Sequence, residues 1–312
     1  MGTPESAVPA LDAILSSGDD VPLVVTQPDR PAGRSKALQP PPVKSFSLAH
    51  GLPVIQPDKV RTAAFFEAIR SADADALAVV AFGRILPRTV LDASRHGAVN
   101  VHFSLLPQLR GAAPVQWALA RGESETGVTV FRLDEGLDTG PILGQRRTAI
   151  LPDEHAPALL ARLADVGAAL LVETLRALGA GTVTETVQDH ARATSAPILE
   201  RRHGTWDPAW RALELEGRVR GFDPWPGVWA ARAGKRLRVV ACRAIPAEVV
   251  EAVSGAVLSV DGSGIRVACA GGTVAMVDSV QPAGGRVMRA RDAVSGRLLA
   301  PGDRLERPEP AA

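Results

Sequence analysis

The chain has 312 residues, with 35 Lys+Arg against 34 Asp+Glu and a net charge of +1, long enough for two domains and a substantial core. No run approaches the roughly 18 apolar residues of a membrane span, and the opening residues lack the basic-then-apolar pattern of a signal peptide. Cys242 and Cys269 stand far apart and make no CxxC pair, which suits a reduced, cytoplasmic protein with both thiols in the core and disfavours a cysteine-based metal site.

Met1 is followed by a turn, Gly2-Thr3-Pro4, and a helix whose apolar positions Val8, Leu11, Ile14 and Leu15 end at Gly18. Val21 to Thr26 reads as a buried strand. A long proline-rich stretch, 27–44, then carries Arg30, Arg34, Lys36 and Lys44. Long ordered loops inside a domain are usually functional, and a solvated linker is the other reading. Helical pattern returns around Val60–Ile69. Ala76 to Phe82 is a continuous apolar run of the kind covered on both faces in a parallel sheet.

Ala98-Val99-Asn100-Val101-His102-Phe103 is an apolar, β-branched strand with two polar interruptions. Residues i and i+2 share a strand face, so an amide and an imidazole lie side by side where the strand ends. Ser104-Leu105-Leu106-Pro107 leaves as a loop, because a residue before proline is pushed out of helical geometry. Asp138 lies in a second, glycine-containing loop, 134–141. An amide donor, an imidazole and a carboxylate suit acyl transfer: the amide faces a developing oxyanion, the imidazole moves a proton, and the carboxylate supports the cation. A backbone-satisfied Asn–His pair beside a turn aspartate fits the same spacing.

Alternating strands and helices imply a doubly wound, Rossmann-like α/β domain, in which ligands bind beyond the carboxyl ends of the strands. No GxGxxG or GxxxxGK string is present, so a dinucleotide or nucleoside triphosphate is not indicated. Leu159, Leu163, Val166, Leu170, Leu175 and Leu178 form a helical core stripe ending at Gly179. The polar stretch 185–204 reads as a linker, with His190 and His203 exposed. Beyond it come Trp206, Trp210 and Pro224-Trp225-Pro226-Gly227, then short strands at Arg236–Ala241, Gly255–Val260, Gly264–Ala268 and Thr273–Val280. Strands about ten residues apart suggest a small barrel. Residues 201–312 hold 17 Lys+Arg against 12 Asp+Glu, a charge of +5, while residues 1–200 hold 18 against 22, or −4. A basic C-terminal part hints at a polyanion partner.

The ordered string Asn100-x-His102, Ser104-Leu-Leu-Pro107, Arg110-Gly-Ala-Ala-Pro114, Thr126-Gly-Val-Thr129 and Asp138-Thr-Gly140 resembles the folate-dependent formyltransferases. The Asp29-Arg-Pro-Ala-Gly-Arg34 loop and the Pro-Trp-Pro-Gly string resemble the tRNA-dependent members in particular. The resemblance implies a formyltransferase domain over 1–184, a linker over 185–204, and an OB-like, tRNA-binding β-barrel over 205–312. It implies transfer of the formyl group of 10-formyltetrahydrofolate to the α-amino group of initiator methionyl-tRNA, for translation initiation. Asn100, His102 and Asp138 are then catalytic. Ser104, Leu105, Leu106, Pro107, Phe82, Gly83, Ile85 and Leu86 line the folate site, and Arg30, Arg34, Lys36 and Lys44 contact tRNA.

No metal is required, and a monomer is expected. Phe82 stands where the family usually has tyrosine, so core packing suits it as well as ligand contact. Ser35-Lys36-Ala37 stands where the family's loop often has Gly-Lys-Lys, so one basic contact is missing. The family also has an apolar strand before the Gly-Thr-Pro turn, so the start of the chain is expected upstream of Met1. The competing activities are formyl transfer to an amino sugar or purine precursor, hydrolysis of formyl-folate, and nucleic-acid binding without catalysis. The basic loop and the Pro-Trp-Pro-Gly part weigh against the first two, and the intact polar triplet against the last.

Overall fold

The computed structural model describes residues 1–32, 37–296 and 298–309. In chain order these form α1 (Val8–Ser16), β1 (Val24–Val25), β2 (Arg30–Ala32), β3 (Ala37–Gln39), α2 (Pro42–Ala49), β4 (Val54–Ile55), α3 (Ala63–Ser71), β5 (Leu77–Val80), α4 (Arg88–Leu91), β6 (Ala98–His102), α5 (Pro114–Ala120), β7 (Glu125–Arg132), β8 (Ile142–Ala149) and α6 (Ala156–Gly179). There follow α7 (Ala212–Gly221), β9 (Val228–Arg232), β10 (Lys235–Ile245), β11 (Val257–Asp261), β12 (Gly264–Ala268), β13 (Val274–Pro282), β14 (Met288–Arg289) and α8 (Ala290–Ser295). They fall into two compact units. One gathers Met1–Pro114, Glu125–Ala149 and Leu160–Ala196; the other gathers Val115–Ser124, Ile150–Leu159 and Pro197–Ala312.

In the first unit β1 pairs with β4 in parallel, and β5 and β6 are parallel neighbours. β7 and β8 then add antiparallel, so the sheet is mixed. The apolar-run criterion does not register β8 because it is an edge strand, half-exposed along Gln145, Arg146 and Arg147, and charged side chains are how an edge avoids further pairing. Val99, Val101, Val128, Val130 and Phe131 are buried. α6 crosses this layer at Gly167, where a Cβ would press on Val101 and Val128.

Gly2 bridges Val80 in parallel, Val80 N donates to the Met1 carbonyl (2.9 Å), and Gly2 N donates to Val25 O (3.0 Å). The opening two residues therefore stand between β1 and β5. A cavity of about 760 Å³ there is lined by Ala10, Leu11, Ile14, Val24, Leu77 and Leu171, among others. The proline-rich stretch, expected as a loop, contains an antiparallel ribbon, β2 with β3, with Arg30 opposite Gln39.

The second unit is an antiparallel sheet in the order β11-β12-β13-β10-β9, with β14 beside β13. The expected barrel is not closed by these named strands, which form an open path. Its two ends share one neighbour, residues 302–306. Ala231 and Glu306 exchange hydrogen bonds of 2.8 Å, and Leu305 N donates to Gly255 O, also at 2.8 Å. α7 is missed by periodicity because Gly217 and Gly221 lower its helix propensity; a Cβ at either would strike the Leu119 or Gln116 carbonyl of α5. Trp206, Phe222, Leu237 and Ile265 are buried, while Trp225 is 52 % exposed. Cys242 and Cys269 are free and buried, and burial pushes the Cys269 thiol up to about 12, which suits small core residues. Among the described residues no helix is long and apolar enough to cross a membrane.

Candidate active site

β6 carries Asn100 opposite Val79 on one side and Phe131 on the other, and places His102 opposite Thr129. Backbone pairing on both sides fixes the strand, so the i, i+2 relation of the two polar side chains is rigid. Asn100 is partly exposed, and among the described residues its carboxamide has no hydrogen-bond partner. His102 is 6 % exposed. Its Nε2 lies 2.9 Å from the Leu109 carbonyl and its Nδ1 3.7 Å from Asp138 Oδ2. The ring meets Phe131 edge-on.

Both ring nitrogens thus face acceptors, and a neutral imidazole has one N–H to give. Burial lowers the pKa of His102, while the Asp138 charge and the Leu109 carbonyl oppose that shift in part. The neutral ring donates from Nε2 to Leu109, and a proton added at Nδ1 faces the carboxylate. Asp138 adopts a left-handed backbone, φ +56°. Its Oδ2 accepts from Gly111 N at 2.7 Å. The loop before it is tied by Asp134, which accepts from Gly136 N (3.0 Å) and the Thr139 hydroxyl (2.7 Å). Gly140 has to be glycine, because a Cβ would overlap the Arg132 carbonyl.

Ser104, Leu105 and Leu106 are buried, and Pro107 follows them. The Ser104 hydroxyl donates to Gln108 O (2.7 Å), which removes it as a nucleophile. Thr129 donates to Ser104 O and accepts from Leu106 N, and Gln145 Nε2 donates to Leu106 O (2.7 Å). Thr129 and Gln145 therefore shape this loop. Thr129 stands in the quoted Thr126-Gly-Val-Thr129 string, and its register opposite His102 is the feature that gives it a place here. Phe82 and Leu86 lie in a hydrophobic cluster with Val25, Phe65 and Val79. Gly83 has φ +75°, and Ile85 is 70 % exposed. Any ligand contact of Phe82 is confined to its main chain, whose carbonyl accepts from Gln27 Nε2 (2.8 Å).

Of the basic candidates, Arg30 is exposed and donates to Gln27 Oε1 (2.6 Å). Lys44 makes 2.8 Å hydrogen bonds to both carboxylate oxygens of Asp29. Gln56 also donates to Asp29 (2.7 Å), and the Lys44 and Gln56 bonds hold the Asp29 carboxyl below its ordinary value. Arg34 and Lys36 lie outside the described residues. His190, expected to be exposed, is so and accepts from Arg110 Nη2 (3.1 Å). No group of three metal-ligating side chains converges among the described residues.

The chain matches a family model described as formyl transferase over residues 1–175 and one described as formyl transferase, C-terminal domain, over 205–298. It is 47 % identical over 302 residues to a methionyl-tRNA formyltransferase of Myxococcus xanthus, covering 97 % of this chain and 95 % of the relative. It is 48 % identical over 305 residues to that of Acidobacterium capsulatum, covering 97 % of each. Among solved structures, a sugar 3N-formyl transferase (WlaRD) with dTDP and 5-N-formyl-THF superposes with a TM-score of 0.65 at 14 % identity, over 90 % of this chain and 95 % of that one. HypX from Aquifex aeolicus, in complex with tetrahydrofolic acid, gives a TM-score of 0.56 at 17 % identity, over 84 % of this chain and 45 % of that one. At these identities the structural likeness is one of fold.

Proposed function

The chain belongs to the methionyl-tRNA formyltransferase family, and from that premise we propose that it transfers the formyl group of 10-formyltetrahydrofolate to the α-amino group of initiator methionyl-tRNA through Asn100, His102 and Asp138. The observation that carries the site assignment is the Asn100 carboxamide, without a hydrogen-bond partner among the described residues, two residues from a buried imidazole that lies against a carboxylate. With the Ser104 hydroxyl committed to Gln108 and both cysteines buried with raised pKa values, direct attack by the substrate amine is the simplest route. The amine nitrogen bonds to the formyl carbon, whose bond to the folate nitrogen breaks. Negative charge on the formyl oxygen is met by the Asn100 amide. His102 takes the proton lost by the amine, passes it to the departing folate nitrogen, and is supported as a cation by Asp138. The Ser104–Pro107 loop and the main chain around Phe82, Gly83, Ile85 and Leu86 form the folate side.

The basic residues of the proline-rich stretch, Arg30, Arg34 and Lys36, contact the tRNA phosphates, and Lys44 anchors the base of that stretch through Asp29. In the second unit an OB-like barrel is completed by residues 302–306, a reading supported by their hydrogen bonds to both sheet ends, and its surplus of basic residues faces the nucleic acid. The test is an assay of formyl transfer from 10-formyltetrahydrofolate to charged initiator tRNA, with amino sugars as competing acceptors and formate release measured without tRNA. Formyl-methionyl-tRNA is the expected product. Preferential transfer to a sugar, or formate release as the main reaction, would overturn the reading.

A further inference from the structure

The polar stretch expected as a linker is bonded into the site on both flanks of His102. Thr186 exchanges backbone hydrogen bonds with Ile142 (2.8 and 2.9 Å). Gln188 is 3 % exposed. Its Nε2 donates to the carbonyls of Asp138 (2.9 Å) and Gly140 (2.7 Å), and its Oε1 accepts from Arg110 Nη2 (2.6 Å) and Nε (3.2 Å). A primary amide is the side chain that supplies two donors to two carbonyls and an acceptor to a guanidinium fork. Six residues on, the Thr194 hydroxyl accepts from Leu109 N (2.9 Å), and the Thr194 carbonyl accepts from Arg110 N (2.8 Å).

Leu109 and Asp138 are the residues against the two ring nitrogens of His102. Both are non-glycine residues in the left-handed region, φ +60° and +56°. Such a conformation is unfavourable for a side chain with a Cβ and persists only where the surroundings over-determine it. Gln188 supplies that restraint to the Asp138 side, and Thr194 supplies it to the Leu109 side. Among the described residues neither side chain hydrogen-bonds to the imidazole.

We propose that Gln188 and Thr194 are positioning residues for the transfer reaction, one strap holding the carboxylate and the carbonyl that orient His102. This rests on the formyl-transfer reading of the same site. The test uses the full chain with Gln188→Met, which keeps length and removes the amide, and Thr194→Val, which removes the hydroxyl and keeps shape. In each, kcat for formyl transfer is measured per folded molecule, and His102 is titrated by NMR, its signal assigned by its loss in His102→Gln. A misplacement on the order of 1 Å in the machinery costs up to about 10²-fold, so kcat is expected to fall by about 10- to 100-fold while KM for the formyl-folate stays near wild type. The His102 midpoint should move to lower pH in both variants, because the Asp138 charge and the Leu109 carbonyl are what raise it against burial.

A strap that only stabilises the fold would lower the unfolding temperature and leave both the midpoint and kcat per folded molecule unchanged. That result in either variant that folds overturns the proposal. The parent reading fails separately, by a wild-type protein that forms no formyl-methionyl-tRNA, and the titration still judges the strap in that case.

Discussion

β6 and the strap at 186–196 hold the same imidazole by different means. β6 is mostly apolar and paired along its backbone on both sides, and its own Val99 and Val101 and the facing Phe131 are buried. The strap has one short helical turn, His190–Arg192, makes backbone bonds at Ile142 and around Arg110, and adds individual side-chain bonds to Arg110, Asp138, Gly140 and Leu109. Sheet register sets where Asn100 and His102 stand, and single polar contacts set how the ring is turned. Losses on the sheet side should therefore appear mainly as stability, and losses on the strap side mainly as rate.

Phe131→Ala tests the sheet side and carries the largest expected effect on folding. The ring is fully buried and meets His102 edge-on, so its removal should cost ~3–5 kcal/mol, read from urea unfolding. A loss below about 1 kcal/mol would mean that the sheet does not hold the site in this way.

The proline-rich stretch offers a second contrast, between a cation bonded to a neutral amide, Arg30, and one paired with a carboxylate, Lys44. Arg30→Ala should flatten the salt dependence of kcat/KM for charged initiator tRNA by about one unit of log–log slope, if it makes one full phosphate contact. Lys44→Met should leave that slope alone, since Lys44 is engaged by Asp29. Equal slope changes in the two variants would return Lys44 to the tRNA surface.

The smallest effect concerns acid stability. Burial lowers the folded-state pKa of His102 below its ordinary value of 6.5. In the window below that value the unfolded chain binds a proton that the folded chain does not, so stability falls as pH drops. His102→Gln should flatten that acid limb in urea titrations below about pH 6.5. An unchanged limb would place the titrating group elsewhere.

The strand β6 was legible because its logic is local: two polar residues at spacing two in a β-branched run determine a shared face. The C-terminal strands were legible for the same reason. The Gln188 bonds span 48, 50 and 78 residues of sequence, and the Thr194 hydroxyl bond spans 85. No short-range pattern announces such partners, and the polarity that fits Gln188 for its carbonyls is what made the stretch read as a linker. The Lys44–Asp29 pair was illegible for a related reason: the two residues stand 15 apart in a stretch whose local pattern shows only its basic side chains.

Asn100 and His102 are proposed to act as one unit on the transferring formyl group, and a double-mutant cycle on kcat measures that coupling. Asn100→Ala removes one oxyanion donor and should cost about 10²–10³ in kcat with little change in folate binding. His102→Ala should cost a comparable factor, and the double variant should fall little below the worse single one, since residues acting as a unit are not additive. Multiplying penalties in the double variant, or a single Asn100→Ala enzyme with near-normal kcat, would contradict the account.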